Sequence, residues 1–319
     1  MRKDIGNKVV VIGAGFVGTA TAFTLVESGM VDDLILIDLN KKKAEGEVMD
    51  LNHGISFLSP INIKAGDYSD CANADIIIIS AGVGIDSDET RLDLANKNSK
   101  IIKGIMKSIV EYTRTAIILV ATNPPDILTY IAAKSVGYDE TKVIGSGTVL
   151  DSSRFKYLLS KHCGINPRSI HAYILGEHGD SEVAAWSITN IAGTRVDHLC
   201  EMCQTYKTDC TGLPKDEIFG DVKNAAYEII SRKGETSYGI AFALRRIVEA
   251  ILKNENAVLT ISSQLKGEYG IKDVSLSVPT VVNRNGVGKI LELPLDEDEL
   301  KFLQESSEKL KEVINKVSI

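Results

Sequence analysis

The chain has 319 residues, of which 44% are hydrophobic and 25% charged, with only 7 prolines. That is an ordinary soluble composition, long enough for one large or two medium domains and with ample apolar sequence for a core. A net charge of -7 argues against a nucleic-acid or anionic-membrane partner. No stretch reaches membrane-spanning length, the polar Met1 to Lys8 segment does not read as a secretory signal, and five cysteines suit a reducing cytoplasm better than a disulfide framework.

Lys8 to Ile12 reads as a buried parallel strand. Gly13-Ala14-Gly15-Phe16-Val17-Gly18 follows at once, then a helical stretch, Thr19 to Ser28, ended by Gly29. Leu34 to Ile37 is a second strand with Asp38 at its end, 20 residues after the last glycine. A glycine pattern alone is a weak signal. Set between strand and helix, with an acid at that distance, it marks a dinucleotide site. Gly13 permits the tight turn, Gly15 lets backbone approach a pyrophosphate, and Gly18 allows close helix–strand packing. The helix start around Val17 supplies unpaired N–H groups to phosphates. Asp38 can accept hydrogen bonds from both ribose hydroxyls and would repel a 2′-phosphate, so NAD is expected rather than NADP.

Ile61 to Lys64, Ile76 to Ser80 and Ile117 to Ala121 continue the sheet, with helical stretches between some of them, notably Ala95 to Thr113. Strands alternating with helices imply a parallel, doubly wound sheet whose ligands bind beyond the strand C-terminal ends. Three segments lie there: 81–84, where Gly82 is a further cofactor-binding candidate, 122–126 and 145–148.

After Gly147 the chain changes role. Val149 to Lys161 reads as a helix with Asp151 and Arg154 on one face, in isolation a surface ion pair. Ile170 to Leu175 is strand-like and runs into the polar turn Gly-Glu-His-Gly-Asp, which can present His178 to a cleft. Histidine is the side chain best placed to carry a proton near neutral pH, although alone this one reads as a loop residue. His198, Cys200, Cys203 and Cys210 are metal-capable, but a second well-spaced pair is missing and the spacing suits one face of a helix, Val196 to Tyr206, so no metal is expected. Val222 to Ser231 and Ser237 to Lys253 are helical, and Val258 to Ser262 and Val278 to Val282 suggest an antiparallel region. Asp296 can cap a final helix, with Glu299 three residues on, and Leu300, Leu303, Leu310, Ile314 and Val317 form its apolar face. The fold class expected is α/β: a Rossmann-type doubly wound parallel sheet over residues 1–145, then an α+β substrate domain with antiparallel strands over 146–319.

Six motifs in order resemble the L-lactate/L-malate dehydrogenase family nearly end to end, its lactate branch most closely. They are Gly-Ala-Gly-Phe-Val-Gly at 13–18, Met-Asp-Leu-Asn-His-Gly at 49–54, Glu-Thr-Arg-Leu-Asp-Leu at 89–94, Thr-Asn-Pro at 122–124, Leu-Asp-Ser-Ser-Arg at 150–154 and Gly-Glu-His-Gly-Asp at 176–180. The resemblance implies NAD-dependent hydride exchange with a small 2-oxo acid. It implies that His178 gives and takes the proton, oriented by Asp151. Arg154 then grips the substrate carboxylate with two parallel hydrogen bonds. Arg91, on the family's mobile loop, polarises the carbonyl as the loop closes, and Asn123 bonds at the nicotinamide and substrate edge.

Substrate choice departs from the family pattern. The position six residues before the loop arginine is usually glutamine in lactate enzymes and arginine in malate enzymes; here it is Ile85. Gly82 to Thr90 holds three acids and no base, which disfavours a second substrate carboxylate, and Thr236 matches the lactate type. Pyruvate is therefore the expected substrate. The apolar Ile85 leaves an alternative open, an enzyme preferring bulkier aliphatic 2-oxo acids, since one methylene discriminates by only ~1–3 kcal/mol. Bacterial relatives often bind fructose 1,6-bisphosphate between subunits through an arginine and a histidine; the matching residues are Lys156 and His171, which half-support that site. The resemblance also implies a homo-oligomer, typically a tetramer, and, with few residues before the first strand, contacts made by globular surfaces. A binding protein on a retired scaffold would have lost catalytic side chains, whereas Arg91, Asn123, Asp151, Arg154 and His178 all remain.

Overall fold

The computed structural model describes residues 6–84, 90–206 and 212–317. Its first half alternates strands and helices: β1 (Lys8–Ile12), α1 (Phe16–Ser28), β2 (Asp33–Ile37), α2 (Lys41–His53), β3 (Asn62–Ala65), β4 (Ile76–Ile79), α3 (Arg91–Ile109), β5 (Ile117–Val120), α4 (Pro125–Val136) and β6 (Val143–Gly145). The six strands pair in parallel in the order β3-β2-β1-β4-β5-β6. β4 shows why: it is four successive isoleucines, all fully buried, as a strand covered on both faces requires. Val10, Ile12, Ile35, Ile37, Ile77 and Ile79 pack to the face shared with α3 and α4, and Val9, Val11, Leu34, Leu36, Ile76 and Ile78 to the face shared with α1. Each such side chain contributes roughly 1.5–3 kcal/mol by leaving water.

The second half continues with α5 (Val149–Cys163), β7 (Ile170–His171), β8 (Ile174–Leu175), β9 (Val183–Ala184), β10 (Asn190–Ile191), β11 (Thr194–Arg195), α6 (Val196–Tyr206), α7 (Lys215–Lys233), α8 (Tyr238–Leu252), β12 (Ala257–Leu259), β13 (Ser262–Lys266), β14 (Lys272–Ser277), β15 (Thr280–Asn283), β16 (Gly286–Ile290) and α9 (Glu297–Lys316). Its strands pair antiparallel, as expected, but they do not stay apart from the first sheet. β13 bonds β6 through Ser262 and Gly145, and β14 pairs with β13, so the main sheet has eight strands. α8 packs beside α1 on one face and α9 against α4 on the other.

Several boundaries differ from the sequence expectation. The run Val258 to Ser262 is split between β12 and β13 at Thr260–Ile261, and of the run Val278 to Val282 only Thr280 to Val282 is strand, within β15, because Val278–Pro279 separates it from β14; proline has no N–H for the ladder. α3 starts at Arg91 rather than Ala95 because Thr90 and Asp93 form a capping box. α7 starts at Lys215, just behind Pro214, a full turn or more before Val222. α2 and α4 carry no clear sequence period and escaped prediction. Asp296 does cap α9, accepting from Glu299 N at 2.8 Å. The Glu299 carboxylate, however, does not return to the cap: it accepts from the Ser187 backbone N–H and hydroxyl. Leu303, Leu310, Ile314 and Val317 are buried as their spacing predicts. No helix among the described residues is long and apolar enough to cross a membrane.

Candidate active site

Strand order reverses between β1 and β4, and the crevice beyond their carboxyl ends opens there. Gly13 leaves β1 at φ +110°, and a Cβ on it would lie 2.6 Å from the Ala81 backbone nitrogen. A Cβ on Gly18 would stand 1.8 Å from the Gly13 carbonyl oxygen, so α1 can approach the strand only with glycine there. Gly15 is different: a Cβ on it would meet nothing within 4 Å. It is the N-cap of α1, makes no side-chain cap bond, and no acid occupies the first turn that Val17 helps form. That end of α1 therefore offers N–H groups to an anion across open space. Asp38 accepts from Ala14 N at 2.7 Å and from Asn40 N at 2.8 Å, which fixes its carboxylate beside the glycine turn. Gly82 is packed against Thr122 and Asn98.

Across the sheet end, three distant segments assemble an acid–base cluster. Asp151, in the first turn of α5, is 2% exposed; one oxygen lies 2.6 Å from His178 Nδ1 and the other accepts from Arg154 Nη1 at 2.7 Å. Burial alone would raise the Asp151 carboxyl, but His178 and Arg154 hold it below the usual carboxylate range. Burial would likewise lower His178, yet the charge and hydrogen bond of Asp151, with the charge of Asp126, outweigh it and push the imidazole up to about 9. The ring is thus a cation at neutral pH, and its far nitrogen makes no hydrogen bond among the described residues. Asp151 and Arg154 are an ion pair, as their spacing suggests, but Arg154 is only 14% exposed, so the pair belongs to the site and not to the surface.

These groups line a cavity of about 330 Å³ together with Asn123, Arg91, Glu182 and Tyr227. Arg91 stands at the mouth, half exposed, 3.0 Å from Asp180 and 3.7 Å from Glu177, and donates to the Tyr227 hydroxyl at 3.4 Å. It is the first residue of α3 rather than a residue within a loop. Asn123 precedes a cis peptide to Pro124, and its carbonyl accepts from Asn98 Nδ2 at 2.8 Å.

The His178 turn is anchored on three sides by residues that sequence reasoning missed. Asp126 of α4 accepts from the His178 backbone N–H at 2.8 Å, Ser306 of α9 accepts from Glu177 N at 2.9 Å, and Ser277 of β14 exchanges backbone bonds with Gly176. Asp126 is fully buried, which raises its carboxyl to about 6. Asn98 of α3 is also buried; its amide holds Val83 by both backbone groups as well as Asn123, tying the loops after β4 and β5 together. A polar residue on the apolar face of α3 was the available signal.

Other predicted residues stand elsewhere. Ile85 lies outside the described residues. Thr236 sits between α7 and α8, partly buried, and is not among the residues lining the cavity. Lys156 lines a second groove of about 500 Å³ with Arg168 and Arg246, and burial lowers its ammonium. His171, exposed on β7, is not among that groove's lining residues. α6 forms as expected, with Cys200 Sγ 3.3 Å from His162 Nε2. The side chain of Cys203 and all of Cys210 lie outside the described residues, and among those described no group of three potential ligands is placed to hold a metal ion.

Comparison with known proteins agrees with this geometry. Residues 7–145 match the family model described as the lactate/malate dehydrogenase NAD binding domain, and residues 148–318 match its alpha/beta C-terminal domain. The chain is 53% identical over 313 residues to the L-lactate dehydrogenase of Acetivibrio thermocellus, covering 98% of each. It is 52% identical over 318 residues to L-lactate dehydrogenase 1 of Clostridium acetobutylicum, covering 99% of this chain and 100% of that one. Among solved structures it superposes on the ligand-bound minor L-lactate dehydrogenase of Enterococcus mundtii with a TM-score of 0.92, at 41% identity and covering 98% and 99% of the two chains. A lactate dehydrogenase from a deep-sea metagenome of the Medee basin gives a TM-score of 0.93 at 44% identity, covering 97% and 98%. The chain belongs to the lactate/malate dehydrogenase family.

Proposed function

We propose that the chain is an NAD-dependent L-lactate dehydrogenase that interconverts pyruvate and L-lactate, with residues 1–145 holding the dinucleotide and 146–319 presenting the groups that grip the substrate. The observation that carries this reading is the His178–Asp151–Arg154 cluster on the wall of one cavity with Asn123 and Arg91. A dinucleotide fits the opposite end of the cleft: Gly15 faces open space, the first turn of α1 lacks a side-chain cap, and Asp38 is oriented beside it. Gly13, Gly15, Val17, Gly18, Asp38, Gly82 and Asn123 are the residues proposed to hold it. When bound, the nicotinamide supplies or accepts the hydride.

The chain's own groups handle the charge and the proton. His178, cationic with Nδ1 on Asp151, donates from Nε2 to the ketone oxygen and recovers the proton in reverse. A guanidinium carries five donors, so the bond from Arg154 to Asp151 leaves room for a paired grip on the substrate carboxylate. Arg91 enters from the cavity mouth to polarise the carbonyl, and excluding water there strengthens each of these interactions. Ile85 and Thr236 are proposed to shape the wall against the substrate's carbon tail. A homotetramer, a cytoplasmic location and a fructose 1,6-bisphosphate site using Lys156 and His171 are further parts of the proposal, supported by family membership and, for Lys156, by its basic groove.

The test is NADH oxidation with pyruvate, 2-oxobutyrate, 2-oxoisocaproate and oxaloacetate. Pyruvate is expected to be reduced well and oxaloacetate poorly. Oxaloacetate faster than all others would overturn the lactate assignment, and 2-oxoisocaproate well ahead of pyruvate would move it to bulkier acids. Activity at subsaturating pyruvate that ignores millimolar fructose 1,6-bisphosphate would remove the effector site.

A further inference from the structure

Glu182 has no part in the mechanism above, yet it lines the same cavity as Asp151, Arg154 and His178. It is 6% exposed, and its Oε1 has no hydrogen-bond partner among the described residues. It also lines a second groove of about 530 Å³ on the outer side, so it stands in the wall between the two. A buried carboxylate short of donors is costly, and this one sits near a second carboxylate that must stay ionised. On the cavity side it faces Asp151 and Arg154 of α5, His178 of its own turn and Lys223 of α7. The outer groove carries Lys215 of α7 with Asp298, Glu299 and Lys309 of α9. Lys223 makes no ion pair with Glu182: its ammonium donates to the Asp180 carbonyl at 3.1 Å.

We propose that Glu182 sets the charge of the substrate cavity: as a neutral acid it admits a 2-oxo acid anion to Arg154, and as a carboxylate it opposes that anion. Burial and the Asp151 charge raise its carboxyl to about 8, so the neutral form dominates at neutral pH. By linkage, an anion that binds more tightly to the protonated form must draw a proton onto Glu182 above that pH. The inference rests on the reading of the cavity as a 2-oxo acid site. It makes Glu182 a positioning residue for charge, not a catalytic one.

Two measurements on the 319-residue chain test it. The first is the pH dependence of kcat/KM for pyruvate at saturating NADH. In the wild type, loss of the His178 proton and loss of the Glu182 proton both weaken binding. The alkaline limb should therefore steepen beyond the tenfold fall per pH unit that a single group gives, with the extra slope in KM and not in kcat. Glu182→Gln should restore the single-group slope, and Glu182→Asp should keep the steeper one. Limbs of equal slope in wild type and Glu182→Gln, or a uniform drop at every pH, would overturn the proposal. The second is infrared difference spectroscopy of the ligand-free enzyme. A protonated carboxyl C=O band should be present at neutral pH, fade on raising the pH, and be absent from Glu182→Gln. A missing wild-type band overturns the proposal even if the variant fails to fold. Absence of turnover with every oxo acid at every pH, with the band present, would instead break the functional reading.

Discussion

The two ends of the cleft are built from different materials. At the end proposed for the dinucleotide, backbone does the work: Gly13 and Gly18 permit contacts that any Cβ would block, and Gly15 leaves space open. At the acid–base end, side-chain charge does it: Asp151, 2% exposed, is shared between His178 and Arg154, with Asp126 and Glu182 buried close by. The first end is built mainly from one short stretch, Gly13 to Asp38, and chiefly from backbone. The second draws on α4, α5, the 176–182 turn and α7, and its state depends on where a few protons sit. A ligand anion can be held by geometry alone at a helix start, whereas moving a proton needs charges that are costly to bury and must be balanced.

The largest expected effect lies at the charged end. His178→Asn should lower kcat/KM for pyruvate by about 10²–10⁴-fold, the usual contribution of a positioned acid, while NADH fluorescence titration reports an intact nucleotide end. Equal losses at both ends would mean the two are not separable. Arg154→Lys keeps the charge but loses the fork; forfeiting one charge-assisted hydrogen bond of ~1.5–3 kcal/mol should raise KM by about 10–100-fold. An unchanged KM would show that the substrate carboxylate lies elsewhere.

At the backbone end the glycines should split. Gly18→Ala sets a Cβ 1.8 Å from the Gly13 carbonyl oxygen, where backbone must move, and is expected to destabilise the fold by ~1–3 kcal/mol in denaturant titrations. Gly15→Ala meets nothing within 4 Å at an extended φ of -77°. Stability should stay within about 0.5 kcal/mol while NADH affinity falls, because the added methyl occupies space left for the pyrophosphate. A Gly15→Ala variant that binds NADH normally would place the phosphates away from this turn.

This division also explains what was legible in the sequence. The glycine turn with Asp38 could be read directly, since its conformation follows from its neighbours in the chain. The parallel sheet was legible from runs such as Ile76 to Ile79. His178, Asp151 and Arg154 were visible only as candidates, because nothing local says that α5 packs against the 176–182 turn; their connection came from resemblance. Asp126, Asn98, Ser277 and Ser306 were missed because each acts through a tertiary hydrogen bond. Glu299 was misread because a long-range partner, Ser187, displaced the local cap bond. The β13–β14 hairpin joining the first sheet was likewise beyond any local pattern.

The smallest expected effect concerns stability, and it tests whether the charged end is held as described. His178 is raised in the folded state from 6.5 to about 9. The protonated ring therefore stabilises the fold fully below about pH 6.5, the unfolded value, and that contribution is lost as pH rises through 9. Asp126 runs in the same direction at lower pH: raised by burial from 3.8 to about 6, it favours folding below its unfolded value and loses that contribution as pH rises through 6. Asp151 runs the other way, because its carboxyl is lowered; its contribution is present above the unfolded value and lost as pH falls through the folded one. Between pH 7 and 9.5 the histidine titrates and so does Glu182, raised to about 8, but both proteins carry Glu182, so the difference between them reports mainly the histidine. Denaturant midpoints of wild type and His178→Asn should therefore differ more at pH 7 than at pH 9.5. A gap that is the same at both values would mean that His178 is not held as a cation, and the contrast between an end built from backbone and an end built from buried charge would fail.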